Sequence, residues 1–282
     1  MDDYELIDVG GAARLERFGT LVTDRPHGGA LGDRRDPKRW TSADLRFDRD
    51  RGWAGPGPAG AREGWTVKAH GIALELRTTE AGQVGIFPEH MDHLPWLVEQ
   101  VAARRAADRD VEVLNLFAYT GLATLALARE GANVTHVDAS RPAVAWARRN
   151  AAANELQDRP IRWIVEDARA YVDREIRRGR RYDGIVLDPP TYGHGAGGST
   201  SWRLDEGLAD LLAACADLLA DDGFLLLTAH TEGFGPGRLA ATLAAATDRR
   251  AGGAVESGTM ELIATTGAIL DLGAYARSAG PG

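Results

Sequence analysis

From about residue 90 onward, short apolar runs alternate with segments of helical periodicity. Met91 to Ala107 is helical in composition. Strand-like runs follow at Val111 to Phe117, Asn133 to Asp138, Ile161 to Val165, Tyr182 to Leu187 and Phe224 to Thr228. Helical segments lie between and after them, at Thr120 to Arg129, Pro142 to Asn154, Tyr171 to Arg178, Leu204 to Leu219 and Gly237 to Thr247. Strands alternating with helices of about 10 to 15 residues predict βαβ units around a parallel sheet. Met260 to Thr265 and Ala268 to Tyr275 have no helix between them and predict an antiparallel hairpin at a sheet edge, giving an α/β fold of seven strands.

Before residue 90 the pattern differs. Trp65 to His70 and Ile72 to Arg77 flank a His70-Gly71 turn and predict a hairpin, while Ala54 to Gly60 reads as a loop because its prolines and glycines oppose both helix and central strand. The expected organisation is a small β-rich domain over 1–90, acting as a lid for substrate and cofactor, and a larger α/β domain over 91–282.

Chemistry is expected at the carboxyl ends of the strands, where open α/β sheets bind ligands. The first loop, Asn115-Leu-Phe-Ala-Tyr-Thr-Gly121, has a glycine that lets backbone approach a ligand at a helix start, but lacks the Gly-x-Gly-x-x-Gly dinucleotide pattern. Seventeen residues later, Asp138 ends the second run and can accept from both hydroxyls of a ribose. Asp167, at the end of the third, can take an adenine amino group, with Ala168 leaving room for the ring; a helix N-cap is the competing reading for either acid. The fourth run leads into Asp188-Pro-Pro-Thr-Tyr192-Gly193. Pro189 and Pro190 remove two N–H donors, so Asp188 and nearby carbonyls present acceptors to an amine, and Tyr192 can stack on a flat ring.

The ordered series Asn115 to Thr124, Asp138, Glu166-Asp167-Ala168 and Asp188 to Tyr192 resembles the class I S-adenosylmethionine-dependent methyltransferases, and within them the large-subunit (23S) ribosomal RNA base methyltransferases and their relatives. Leu15 to Gly19, Gly85 to His90 and Gly267 to Arg277 extend the likeness over nearly the whole chain. The resemblance implies a Rossmann-like fold and S-adenosyl-L-methionine as cofactor. It implies that Asn115, Phe117, Tyr119, Thr120 and Gly121 line the methionine part, Asp138 the ribose, and Asp167 with Ala168 the adenine. Phe87 and His90 would approach from the small domain, and Asp188, Pro189, Pro190 and Tyr192 would align the acceptor.

Composition narrows the reaction. The only cysteine, Cys215, sits in the apolar stripe of Leu211 to Leu219 and reads as core. A mechanism needing a thiolate to activate a pyrimidine carbon is therefore disfavoured, and a nucleobase nitrogen fits better; a small aromatic metabolite is the alternative acceptor, and a non-catalytic cofactor- or RNA-binding module the alternative outside enzymes. The formal charge of -8 means that RNA contact needs a local basic face. Two basic sets qualify. Arg174, Arg177, Arg178, Arg180 and Arg181 read as a solvated helix end. Arg34, Arg35, Lys38, Arg39, Arg46, Arg49 and Arg51, interleaved with Trp40, Phe47 and Trp53, are the better RNA candidate, although Asp33, Asp36, Asp44, Asp48 and Asp50 nearly balance them. His194 and His230 flank the expected pocket as possible bases, and no histidine spacing predicts a metal site. Gly193 to Ser201 reads as a mobile lid. With an acidic N-terminus and no long apolar run, the expected location is cytoplasmic.

Overall fold

A computed structural model describes residues 3–57, 61, 63–194, 201–247 and 254–280. The chain packs as two compact units, Met1–Asp92 with Met260–Leu272, and His93–Thr259 with Gly273–Gly282.

The first unit contains β1 (Tyr4–Gly10), β2 (Ala13–Phe18), β3 (Leu21–Pro26), the short helix α1 (Pro37–Thr41), β4 (Leu45–Asp48), β5 (Gly52–Ala54), β6 (Trp65–Ala69) and β7 (Ile72–Leu76). β1 to β5 form one sheet in sequence order, and β6 with β7 form the separate hairpin expected around His70-Gly71. Hydrophobic alternation did not single out β1 to β3, because their charged residues are buried along with their apolar ones. Glu16 has 0% exposure and accepts hydrogen bonds from Arg25 Nε at 2.9 Å, Arg25 Nη2 at 2.5 Å and Tyr4 Oη at 3.1 Å, with Arg14 Nε 3.2 Å away. A carboxylate taken out of water is tolerated only when its lone pairs are filled in this way.

The second unit continues from a 3-10 turn, Pro88–His93, into α2 (Leu94–Arg105), β8 (Glu112–Leu116), α3 (Leu122–Arg129), β9 (Asn133–Asp138), α4 (Arg141–Ala153), β10 (Ile161–Val165), α5 (Ala168–Arg177), β11 (Tyr182–Leu187), β12 (Tyr192–His194), β13 (Ser201–Arg203), α6 (Leu204–Leu218), β14 (Leu219–Ala229) and α7 (Pro236–Thr247). β15 (Glu256–Ile263) and β16 (Ile269–Ala279) finish the fold. The seven-stranded sheet has the order β10-β9-β8-β11-β14-β16-β15. β8 to β11 and β14 are parallel, and β16 runs antiparallel to β14, as the βαβ alternation and the helix-free tail predict. Helices α2 to α4 neighbour one another, as do α5 to α7, and β11 is buried along its whole length. Helix-covered parallel strands are apolar runs for this reason. β14 starts five residues earlier than its apolar run. Asp221-Asp222-Gly223 looks like a turn by composition, yet Arg109 pairs with both Asp222 and Asp183, and Leu219 pairs with Tyr182 across a bulge.

Among the described residues, no helix is long and apolar enough to cross a membrane. The β11·β14 junction sets the height of Asp188 relative to Thr228, and its tightest point is Gly184 opposite Phe224. A Cβ on Gly184 would lie 2.1 Å from the Phe224 ring. Gly184→Ala is expected to lower unfolding stability by about 1 to 3 kcal/mol or more through overpacking, read as a shift in the urea midpoint, whereas an unchanged midpoint would mean that this contact does not set the junction.

Candidate active site

The parallel register brings the strand ends to one level. Leu116 lies opposite Val137 and Leu187, Asp138 opposite Val165, and Leu187 opposite Leu227. Phe117, Asp138, Asp188 and Thr228 therefore share one edge of the sheet.

The loop from Phe117 to Gly121 is held in an unusual backbone. Phe117, Tyr119 and Gly121 have φ of 55°, 49° and 94°, the first two being left-handed conformations that side chains disfavour. Such residues persist only where their surroundings over-determine them. Here Ala118 N–H donates to Val137 O at 3.1 Å, Tyr119 N–H to Asp138 Oδ2 at 2.8 Å, and Gly121 N–H to Ala118 O at 3.0 Å. Asn150 Nδ2 adds a bond to Thr120 O at 3.0 Å. The glycine also has a local reason, since a Cβ on Gly121 would meet Ala147 Cβ at 3.1 Å. It serves the backbone turn and the packing of α3 on α4. Asn115 is buried, and its Nδ2 donates to Thr124 Oγ1 at 2.9 Å, which lies 2.9 Å from His136 Nδ1. This polar chain ties β8, α3 and β9 together below the loop.

Both strand-end acids organise backbone. Asp138 Oδ1 accepts from Ser140 N–H at 2.8 Å and Oδ2 from Tyr119 N–H. Burial pushes its carboxyl above its ordinary value, while those two N–H groups pull the other way. Asp167 is the N-cap of α5, accepting on Oδ1 from Arg169 and Ala170 N–H at 2.9 and 3.2 Å. The capping reading thus holds for Asp167, with its Oδ2 outside both bonds. Ala168 is buried in the apolar cluster with Val172, Leu187 and Leu204.

At the fourth strand end, Thr228 Oγ1 donates to Asp188 Oδ1 at 2.7 Å, and His230 Nε2 lies 3.3 Å from the same oxygen. Pro189 is buried and Pro190 exposed. The Pro190 carbonyl accepts from Trp202 Nε1 at 2.6 Å, so it is already engaged. Thr191 is fixed twice, by its Oγ1 to Thr231 Oγ1 at 2.7 Å and by its carbonyl to Leu204 N–H at 3.1 Å. Tyr192 is 66% exposed, and the Arg203 guanidinium lies 5.2 Å from its ring centre. Tyr192–His194 and Ser201–Arg203 pair antiparallel, so the ends of the expected lid are strands; residues 195–200 lie outside the described residues. His194 lies opposite Ser201 in the pairing of β12 with β13. Phe87 and His90 belong to the first unit, with rings 5.7 Å apart.

Two contributors escape sequence reading. Thr228 is a polar residue closing an apolar run, a weak signal. Trp202, a lone aromatic after a glycine-serine stretch, is 4% exposed; its ring lies 5.5 Å from Phe117, and the Arg169 guanidinium sits 5.5 Å from it. Gly207 makes room for it, since a Cβ there would fall 2.8 Å from the indole. Trp202 thereby links the Asp188–Tyr192 turn to the Phe117 loop.

The family described as S-adenosylmethionine-dependent methyltransferase matches residues 44–251. The chain belongs to that family. A crystal structure of an S-adenosylmethionine-dependent methyltransferase from Agrobacterium tumefaciens is 37% identical, with a TM-score of 0.92 over 99% of this chain and 91% of that one. A methyltransferase solved with S-adenosylhomocysteine, SMU.776, shares the fold at 16% identity, with a TM-score of 0.71 over 95% of this chain and 72% of that one. In sequence, the ribosomal RNA large subunit methyltransferase K/L of Marinobacter nauticus is 30% identical over 60% of this chain, and that of Methylococcus capsulatus 36% identical over 49%. The alignments span only 23% and 18% of those relatives' own lengths.

The residues of this methyltransferase suit its cofactor. α3 begins without a side-chain cap, whereas α4 and α5 are capped by Ser140 and Asp167, so the positive end of α3 stands open to an anionic group. Asp138 supplies two acceptor oxygens at the neighbouring strand end, the acceptor set that a vicinal diol requires. Cys215 is fully buried in α6, and burial pushes its thiol up to about 12, so it offers no thiolate.

The chain beneath the loop carries a pH signature. Burial, with Arg148 nearby, holds His136 down to about 3. Between that value and the ordinary histidine value of about 6.5, the unfolded chain binds the proton and the native one does not, so stability falls as pH drops through this window. Equilibrium unfolding from pH 7 to 4 should show a steeper loss for wild type than for His136→Gln; identical slopes would place a proton on His136 in the native state.

Proposed function

We propose that this methyltransferase methylates a nucleobase nitrogen of ribosomal RNA by direct in-line transfer, without a cysteine adduct. The observation that carries the reading is the Asp188 carboxylate, gripped on Oδ1 by Thr228 and His230 at the start of the Pro-Pro turn. A carboxylate fixed there accepts the N–H of an amine or ring nitrogen and turns the nitrogen lone pair toward the cofactor side. Holding the reacting atoms about 3 to 3.5 Å apart is most of what such a transfer asks of the protein.

S-adenosylmethionine supplies an already activated methyl group. The chain's task is alignment. The Phe117–Gly121 loop and the start of α3 take the methionine part, Asp138 takes the ribose hydroxyls, and Asp167 takes the adenine amino group through the oxygen not spent on capping. Pro189 and Pro190 keep the acceptor side free of competing donors, and the exposed Tyr192 ring offers a stacking platform for a base. Buried, protonated Cys215 removes the thiol route and leaves a nitrogen acceptor. The names of the large-subunit relatives support ribosomal RNA as the acceptor class.

Tritiated methyl transfer into total RNA and into a small-molecule extract tests this. The expected result is label in RNA, recovered as an N-methylated base and lowered at least about tenfold by Asp188→Ala, since a charged hydrogen bond is worth about 1.5 to 3 kcal/mol. Label confined to the small-molecule fraction, or found as a C5-methylpyrimidine, would overturn it.

A further inference from the structure

The two basic segments of the chain have different environments, and the difference assigns one of them a partner. On α5 and beyond, three of the five arginines are compensated: Arg174 pairs with Glu166 at 2.6 Å, Arg178 with Glu175 at 2.9 Å, and Arg180 lies 3.9 Å from Glu112, while among the described residues the exposed Arg177 and Arg181 form no ion pair. That end of the sheet is a network of local ion pairs. In the first unit, Arg34, Arg35, Lys38 and Arg39 are all exposed, and among the described residues none of the four forms an ion pair. Their hydrogen-bond and ring partners are neutral, and the Asp24 carboxylate acts on Arg34 only at longer range. Arg35 Nη1 donates to Thr266 O at 3.0 Å, Arg39 Nη1 lies 3.5 Å from Thr265 Oγ1, and the Arg34 guanidinium sits 3.9 Å from the Trp40 ring centre.

The segment is also held rigidly. Asp8 has 0% exposure, and all four of its hydrogen bonds are spent locally. Oδ2 accepts from Trp40 Nε1 at 2.7 Å and Asp36 N–H at 3.0 Å, while Oδ1 accepts from Thr266 Oγ1 at 2.8 Å and Val9 N–H at 3.0 Å. Gly11 N–H donates to Gly32 O at 2.8 Å and Ala12 N–H to Ala30 O at 3.0 Å. The fit is close enough that a Cβ on Gly10 would lie 2.5 Å from the Asp33 carbonyl carbon. A buried carboxylate thus anchors a strip whose outer face is cationic.

We propose that Arg34, Arg35, Lys38 and Arg39 form an RNA-backbone surface that grips phosphates of the substrate; this rests on the RNA reading of the active site. In a chain of net charge -8, binding a polyanion needs such a local surface. Arginines predominate, and their planar fork matches phosphate oxygens two at a time. Asp33 and Asp36 reduce the strip's formal charge from +4 to +2 without pairing to its cations. Trp40 is buried beneath Arg34 and offers no stacking face, so the surface reads backbone rather than bases.

The test measures binding of the full chain to protein-free large-subunit ribosomal RNA at several salt concentrations. It compares wild type with R34Q/R35Q/K38Q/R39Q, K38Q/R39Q and the control R174Q/R177Q/R178Q. The quadruple variant is expected to bind at least about tenfold more weakly at low salt and to flatten the log K against log salt slope by roughly one per lost contact. K38Q/R39Q should fall between it and wild type, and the control should match wild type. Unchanged S-adenosylmethionine affinity in calorimetry confirms that the variants fold. Equal binding and slope for wild type and the quadruple variant overturn the surface alone, whereas failure of wild type to bind this RNA overturns the RNA reading and the surface with it.

Discussion

The site depends on parallel strand register. Because Leu116, Val137, Leu187 and Leu227 sit side by side in β8, β9, β11 and β14, the residues after them emerge at one height. A slip of one residue in any of these strands would exchange the two faces of its side chains and carry Asp138, Asp188 or Thr228 out of line. The apolar runs that fill the sheet, and the Gly184 to Phe224 contact between its central strands, therefore serve position as much as stability.

On that base, few polar groups at the edge stand alone. Asn115, Thr124 and His136 form a buried chain under the first loop, Asp138 fixes the left-handed Tyr119, and Thr228 with His230 fixes Asp188. Trp202 then joins the Asp188–Tyr192 turn to the Phe117 loop through one hydrogen bond and one ring contact. Groups so restrained lose little freedom when a ligand arrives, which is how a protein gains from alignment alone. The same logic recurs in the first unit, where Asp8 spends its whole bonding capacity on presenting a basic strip.

The legible parts of the chain were those in which one physical rule acts alone. Buried parallel strands are apolar runs, so β8 to β11 stood out, and the helix-free tail predicted the edge hairpin. β1 to β3 did not, because Glu16, Arg14 and Arg25 are buried as an ion-paired cluster that mimics a polar surface pattern. At the site, Asp138 and Asp188 were visible as acids ending apolar runs. Gly121 was visible, but not its second task, since its missing Cβ also accommodates Ala147. Asp167 carries the capping role that its position allowed. Thr228 and Trp202 were invisible because their importance lies in a tertiary partner: Asp188 forty residues away for one, the Pro190 carbonyl for the other. The two arginine-rich runs look alike in sequence and differ in how many of their charges a carboxylate reaches.

We propose that the carboxyl edge of this sheet holds S-adenosylmethionine with Asp138 on its ribose. Titration calorimetry of wild type and Asp138→Ala with S-adenosylmethionine tests it most directly. Saturable one-to-one binding by wild type, weakened roughly tenfold or more in the variant, is the predicted result, each tenfold being about 1.4 kcal/mol. Equal affinity in the two proteins, or no binding by wild type, would contradict it.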